Sequence, residues 1–288
     1  MNNKLSDPFL IYLRLVRLDK PIGIYLLLWP TLWALVMSSN GSPDIGRLAI
    51  FILGVILMRS AGCIINDIVD KEFDNKVERT SKRVLTNGDV SIQEALILLT
   101  GILLVAGSLL FSLNFFAVQL AFVALVITVV YPFFKRFFPI PQAILGIAFG
   151  LSILMVYADT VEIIQPIAWA MFLANFFWAL AYDTTYAMSD KEDDIKLGLK
   201  SSAITFGDYD IYVISIFQFL FLVLMISPIS LMSFGFVYGL SWFFAATYSF
   251  YLYKNLFNDV EINYQEIFNK NHRIGAILFV GMLFDLNI

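Results

Sequence analysis

Apolar, sparsely charged runs follow one another along this chain at about residues 22–38, 47–65, 92–113, 116–134, 139–157, 166–187, 209–227, 229–253 and 273–287. Each is long enough to cross the ~30 Å hydrocarbon core of a bilayer as a helix. Inside lipid no water satisfies the backbone, so only helices and closed barrels can span it. The runs lack the two-residue alternation of barrel strands, which leaves a helical bundle. A chain of 288 residues that is 59% hydrophobic and 15% charged cannot cover itself with a water-compatible surface. The expected fold is an all-α integral membrane protein with nine transmembrane helices in one bundle, a single domain over residues 1–288.

The segment before the first run has no small-residue cleavage site preceded by a short apolar core, so no cleaved signal peptide is expected. The single cysteine, Cys63, lies inside an apolar run, where packing is its default role. Of the 19 Lys and Arg, all but Arg47 and Arg59 precede the first run or follow the second, fourth, sixth and eighth. By the positive-inside rule that side is cytoplasmic, and the last run ends outside. No nucleic-acid partner is expected. The cytoplasmic loops 66–91 and 188–208 are the longest between runs and carry most ionisable groups, which marks them as the functional face.

One short pattern occurs in both loops: "VDKEFD" at 69–74 and "SDKEDD" at 189–194. Each trails an apolar run and precedes a basic stretch. This suggests two related four-helix halves, about 22–134 and 139–253, with 273–287 added. Positions four apart share a helical face. Asn66, Asp70 and Asp74 therefore form a polar stripe with Asp67 close to the same line; Asp183, Tyr186, Asp190 and Asp194 form the second. Carboxylates at i and i+4 repel, so a cation is expected between them. Hard carboxylate oxygens without histidine or cysteine suit Mg²⁺, which keeps waters and takes further ligands from phosphates, and they argue against zinc. The expected metal ligands are Asp70, Asp74, Asp190 and Asp194. A solvated helix end would explain one such motif alone; two on the same side, each continued inward by polar residues, favour a site.

Arg59 sits two turns deeper on the first stripe, where a buried cation normally faces a cavity and a partner. Around the carboxylates stand Arg79, Lys82, Arg83, Lys135, Arg136, Lys196 and Lys200. Arginine can bind phosphate oxygens with two hydrogen bonds at once, and lysine acts as a point charge. Two acidic clusters and several cations on one lip describe a site for a metal-bound diphosphate ester with a lipid tail. The tail needs an apolar path, for which residues 114–134 and 217–228 offer walls. A cation transporter would hold its carboxylates near the midplane, whereas these lie at helix ends. His272 reads as an interfacial residue.

"NDIVDKEFD" and "DTTYAMSDKEDD" resemble the two aspartate-rich motifs of the UbiA-type membrane prenyltransferases. The resemblance runs through "LDKPIGIYLLLWPTLWAL", "LMRSAGCIINDIVDKEFDNKVERTSKR", "VYPFFKRFFPIPQAILGIAFG" and "MFLANFFWALAYDTTYAMSDKEDDIKLGLKSSAITFG", and is strongest to the members that prenylate 4-hydroxybenzoate. Val84 departs from it, standing where the family usually has proline. The resemblance implies a bundle around a central cavity, open toward the cytoplasm and laterally to lipid, in a bacterial or mitochondrial inner membrane. It implies an Mg²⁺-dependent enzyme of ubiquinone synthesis that joins a polyprenyl chain from polyprenyl diphosphate to 4-hydroxybenzoate. The motif positions map onto Asn66, Asp67, Asp70, Asp74, Asp183, Asp190 and Asp194 as catalytic residues. Arg59, Asn66, Arg79, Arg83, Lys135, Arg136, Tyr186 and Lys200 are the expected substrate-binding set. Arg59 would face the acceptor carboxylate and Asp70 would polarise its phenol. The same chemistry on a naphthoate or homogentisate is the alternative.

Overall fold

A computed structural model describes residues 8–77, 80–232, 234–257 and 262–287. The described residues are helices and connecting turns, with no strand among them. In chain order the long helices are α1 (Ile22–Ser38), α2 (Ile45–Val69), α3 (Ile92–Leu109), α4 (Phe115–Phe134), α5 (Pro141–Thr160), α6 (Pro166–Met188), α7 (Asp210–Leu224), α8 (Phe236–Tyr253) and α9 (His272–Asp285). Five stretches of the described chain are long and apolar enough to cross a membrane. Phe111, Phe236 and Phe250 are largely exposed, as lipid-facing rings should be and as a water-soluble surface would avoid.

Local chemistry starts these helices where the sequence changes character. Asp44 accepts from the Arg47 amide, and Asn114 from the Ala117 amide. Ser91 and Glu94 form a reciprocal capping box. Pro141 and Pro166 occupy first-turn positions that need no amide donor. The expected run 229–253 is not one helix: Ser227–Met232 is a separate short helix, and α8 begins only after Gly235. Apolarity continues through this break, so composition did not reveal it.

Helix α5 packs against α1, α4 and α6, and α6 in turn against α7. Helix α9 closes the bundle by packing on α1 and α8. The core of this side is aromatic: Trp178 lies 5.5 Å from Trp33 and stacks 5.4 Å from Phe221. Trp33 Nε1 donates to the Gly275 carbonyl at 3.0 Å. A Cβ at Gly275 would fall 2.8 Å from both Trp178 and Trp29, so only glycine lets α9 approach this closely. A second cluster joins Leu15, Ala61, Ile64, Leu85 and Ile102, tying the N-terminal helix Pro8–Leu15 and loop 80–90 to α2 and α3.

On the opposite face Arg47, which the charge count left isolated, finds a partner. Its Nε lies 2.7 Å from Asp159, whose other oxygen accepts from the Asn114 amide at 2.9 Å. The Asp159 carboxylate is fully buried and pins the starts of α2 and α4 to the end of α5. Replacing Asp159 by Ala strips both donors of their acceptor and should cost about 2–3 kcal/mol, read as a lower denaturation midpoint in mixed micelles. Asp159→Asn, which still offers an acceptor, should lose less; an unchanged midpoint in Asp159→Ala would contradict this role.

Candidate active site

Helices α1 to α5 and the end of α6 line a cavity of about 1620 Å³, larger than the ~300–1,000 Å³ usual for small ligands. Its two ends differ in chemistry. The end where α2 and α6 finish is lined by Asn66, Asp67, Asp183, Tyr186, Asp190 and Asp194, and by Arg17, Lys82, Arg83, Lys135 and Lys200. Beyond Arg59 the described lining carries no charged side chain.

The two acidic motifs share a backbone device. Helix α2 ends at Val69 and a four-residue helix, Lys71–Asp74, follows; α6 ends at Met188, with Lys191–Leu197 after it. At the junctions Asp70 (φ −93°, ψ 2°) and Asp190 (φ −109°, ψ −1°) adopt nearly the same conformation, in the bridge region frequented by active-site residues. The bonds from Asp70 N to Asn66 O and from Asp74 N to Asp70 O, at 2.9 and 2.8 Å, keep the first stripe on one face across its break.

Cations of this chain hold the first stripe's carboxylates. Arg17, in a left-handed conformation (φ 59°), gives Asp67 two hydrogen bonds of 2.8 and 2.9 Å. Arg83 Nη1 bridges Asp67, at 3.2 Å, and Asp74. Lys135 Nζ lies 3.6 Å from Asp70. Burial pushes the Asp74 carboxyl above its ordinary range against the pull of Arg83. Burial also opposes charge on Arg83, but Asp67 and Asp74 outweigh it and the guanidinium is held charged above its ordinary value. Lys135 likewise overcomes burial through Asp70 and then Tyr131. Asp70 and Asp74 do not themselves line the cavity; Lys135 and Arg83, their partners, do.

Other expected residues divide clearly. Arg136 lies over the rings of Phe73 and Phe133 and donates to the Val69 carbonyl at 3.3 Å, bracing the turn outside the cavity lining. Lys196 pairs with Asp193 on the surface. Lys200 lines the mouth, its amide bonded to the Lys135 carbonyl at 2.7 Å. Arg79 lies outside the described residues. Val84 is buried and lines the cavity. Asn175 and Tyr182, inward on the second stripe, are packed in the interior away from the cavity wall. His272 sits against the Tyr25 ring, also off the wall.

Arg59 is the cavity's deepest charge. Its guanidinium lies 5.9 Å from the Phe149 ring centre, and its buried Nε has no hydrogen-bond partner among the described residues. Gly23 of α1 lies against it: a Cβ there would fall 2.4 Å from Nε and 2.5 Å from Nη2. Sequence reasoning missed several wall residues. Arg17, Gln142, Gln265, Phe268 and Asn269 line the cavity, and Phe268 packs 4.9 Å from Tyr186. The last three belong to the short helix Tyr264–Lys270, whose polar, amphipathic sequence between two apolar runs was the available signal. Of the two expected tail walls, 114–134 lines the cavity and 217–228 does not; α7 packs on α6 instead.

The donor set suits a hard divalent cation. The acidic side chains at the mouth offer only oxygen ligands, the donor type that Mg²⁺ takes, often with a substrate's phosphates completing the set. Among the described residues no group of three metal-ligating side chains is clustered.

Comparison with known proteins agrees with this geometry. The family model described as the UbiA prenyltransferase family matches residues 27–266. The 4-hydroxybenzoate octaprenyltransferase of Polynucleobacter necessarius is 46% identical over 286 residues, covering 99% of both chains. The protein of the same name from Cupriavidus necator is 47% identical over 94% of this chain and 95% of its own. Among solved structures, a UbiA homolog from Aeropyrum pernix K1 superposes with a TM-score of 0.81 at 23% identity, covering 90% of this chain and 97% of that one. A UbiA homolog from Archaeoglobus fulgidus bound to GPP and Mg²⁺ gives 0.71 at 20% identity, covering 96% and 100%. The chain belongs to the UbiA prenyltransferase family.

Proposed function

We propose that this protein transfers a polyprenyl chain from polyprenyl diphosphate to the ring carbon ortho to the hydroxyl of 4-hydroxybenzoate, releasing diphosphate, in ubiquinone synthesis. The observation that carries the reading is one cavity with a charged mouth, a single buried arginine at mid-depth and an apolar remainder. The names of relatives at 43–47% identity support the acceptor and the donor. The helices from Ile22–Ser38 to His272–Asp285 are nine spans, and the positive-inside pattern supports a cytoplasmic mouth. The matching junctions at Asp70 and Asp190 support two related halves, 22–134 and 139–253, acting as one membrane domain.

Mg²⁺ bound at this mouth would neutralise the diphosphate as it leaves. Asp190 and Asp194 from one lip and Asp70 and Asp74 from the other would hold it. An arriving diphosphate offers Arg83 and Lys135 an alternative anion, which frees oxygens of Asp74 and Asp70. With Lys200 and, from outside the described residues, Arg79, these cations stabilise the charge that grows as the allylic C–O bond breaks and its electron pair goes to the leaving group. Arg136 keeps the turn at Phe73 in place.

The allylic cation then lies against the aromatic faces of Tyr131, Tyr186 and Phe268, which attract it and exclude water. Arg59 binds the acceptor carboxylate by charge-assisted hydrogen bonds and Asn66, also on the cavity wall, orients the ring; Asp70, expected to polarise the phenol, lies off the wall behind Lys135. The ring carbon forms the new C–C bond with the cation and loses its proton to the released diphosphate, which restores aromaticity. Asp67 holds Arg17 and Arg83 in place; Asp183, within the field of Lys135 and Arg59, fixes their approach from the second stripe.

Incubating the purified protein with 4-hydroxybenzoate, octaprenyl diphosphate and Mg²⁺ should give the octaprenylated acid by mass, and EDTA should abolish it. Product formed only with a naphthoate or homogentisate would reassign the acceptor, and no product with any aromatic acceptor would contradict a transferase. Arg59→Gln should raise the KM for 4-hydroxybenzoate by about 10–100-fold, with a much smaller change in the KM for the diphosphate. Gly23→Ala, which displaces the guanidinium without removing it, should shift the same constant in the same direction by about tenfold. Equal effects on both KM values would contradict the carboxylate role.

A further inference from the structure

With Asp70 off the wall, the phenol end of the acceptor needs another partner. Helices α2 and α5 make at most marginal contact with each other, so the cavity they both line lies between them. Arg59 of α2 and Phe149 of α5 mark one depth, the guanidinium 5.9 Å from the ring centre. Helix α2 ends at the mouth and α5 starts there, where the Lys200 amide bonds the Lys135 carbonyl. Seven residues toward the mouth from each stand Asn66 on α2 and Gln142 on α5, about 10 Å higher at ~1.5 Å per residue. Seven residues make nearly two full turns, so Asn66 and Gln142 keep the cavity-facing side of the residues below them, and both line the wall.

Gln142 is held in one orientation. It is only 5% exposed, and its Oε1 accepts from the Ser202 amide at 2.9 Å. A backbone N–H can only donate, so this bond fixes the oxygen side of the amide and turns the NH2 the other way. Ser202 is itself locked, its hydroxyl 2.8 Å from that of Thr184, and both residues are fully buried. The Gln142 Nε2 has no hydrogen-bond partner among the described residues and, unlike the Arg59 Nε, is not sealed in protein; it opens on the cavity. A buried amide fixed on one side and unpaired on the other is suited to an accepting atom of a ligand.

The chemistry of the acceptor says which atom. The carbon to be prenylated is ortho to the hydroxyl, and the diphosphate leaves at the mouth. With its carboxylate on Arg59, the acceptor must turn its hydroxyl toward the mouth, to the depth of Gln142. The diphosphate has the cations of the lip, whereas a neutral amide suits a phenol oxygen. Resting on the prenyl-transfer reading above, we propose that Gln142 Nε2 donates to the phenol oxygen of 4-hydroxybenzoate and makes Gln142 a specificity-determining residue, selecting a para hydroxyl over a para amine. The nitrogen lone pair of an aromatic amine is drawn into the ring, so it accepts poorly, and its own N–H groups would face those of Gln142.

The test uses 4-aminobenzoate, which offers Arg59 the same carboxylate and differs only at the para atom. Its Ki against prenylation of 4-hydroxybenzoate is readable whether or not it is itself prenylated. The readout is the ratio of that Ki to the KM for 4-hydroxybenzoate, which in the wild type should be about five or more, the consequence of leaving one buried donor unpaired. The ratio should fall about fivefold or more in Gln142→Leu, and also in Gln142→Glu, which keeps an acceptor for the Ser202 amide but has lost the donor. Thr184→Val loosens the same loop without touching Gln142, and its ratio should stay within about twofold of wild type. A wild-type ratio near one would overturn the inference without any variant. So would an unchanged ratio in an active Gln142→Leu or Gln142→Glu enzyme, which would leave Gln142 as an anchor of the loop and the transferase reading standing. An equal fall in Thr184→Val would overturn it as a general effect of the loop. A wild type that does not prenylate 4-hydroxybenzoate would overturn the transferase reading, and the inference with it.

Discussion

Each aspartate of the first acidic stripe is held by a cation: Asp67 by Arg17, Asp74 by Arg83 and Asp70 by Lys135. These carboxylates are buried; they repel one another and lose hydration, so they persist only if neutralised. The three cations come from the segment before α1, the loop after the motif and the end of α4. Neutralising the motif therefore draws three separate segments together at the mouth of the cavity. The same side chains are suited to an anionic ligand. One set of charges serves both as the structural clasp of the mouth and as the proposed receptor for diphosphate.

Below the mouth, the cavity changes in polarity with depth. Arg59 is placed where hydration is poor, and among the described residues no acidic side chain bonds its Nε. A buried guanidinium with an open bonding position is costly to maintain, which gives an incoming carboxylate a favourable partner. Deeper still, glycines, aliphatic side chains and phenylalanines replace charges in the lining. The gradient matches a substrate with a charged head, a reactive centre and a hydrocarbon tail.

Much of this was legible in the sequence because the bilayer enforces it. Backbone satisfaction makes each apolar run a helix, and the helix boundaries fall close to the expected ones; α2 continues beyond residue 65 to Val69, as a continuous polar stripe requires. The pairing of the two Asp-Lys-Glu stretches at one mouth was also legible, since equal spacing after a span puts both on one side. Apolarity alone does not tell lipid-facing, core-facing and cavity-facing residues apart. For that reason residues 217–228 looked like a tail wall, although α7 packs on α6, and the break before α8 was hidden. Arg17 read only as a topology charge, because its contact with Asp67 spans fifty residues of sequence. The wall formed by Gln265, Phe268 and Asn269 escaped notice for the same reason: only the fold brings Phe268 to Tyr186.

The central claim is that both acidic stripes serve one ligand at one mouth. It is tested most directly by locating the ion and the diphosphate together, using anomalous scattering from Mn²⁺ in crystals of the protein with a non-transferable prenyl thiolodiphosphate. The expected result is an ion between the lips that carry Asp190 and Asp194 and Asp70 and Asp74, with the diphosphate against Arg83 and Lys135 and the tail running past Arg59. An ion bound elsewhere, or a diphosphate held by one stripe alone with the first motif still paired to its cations, would contradict it.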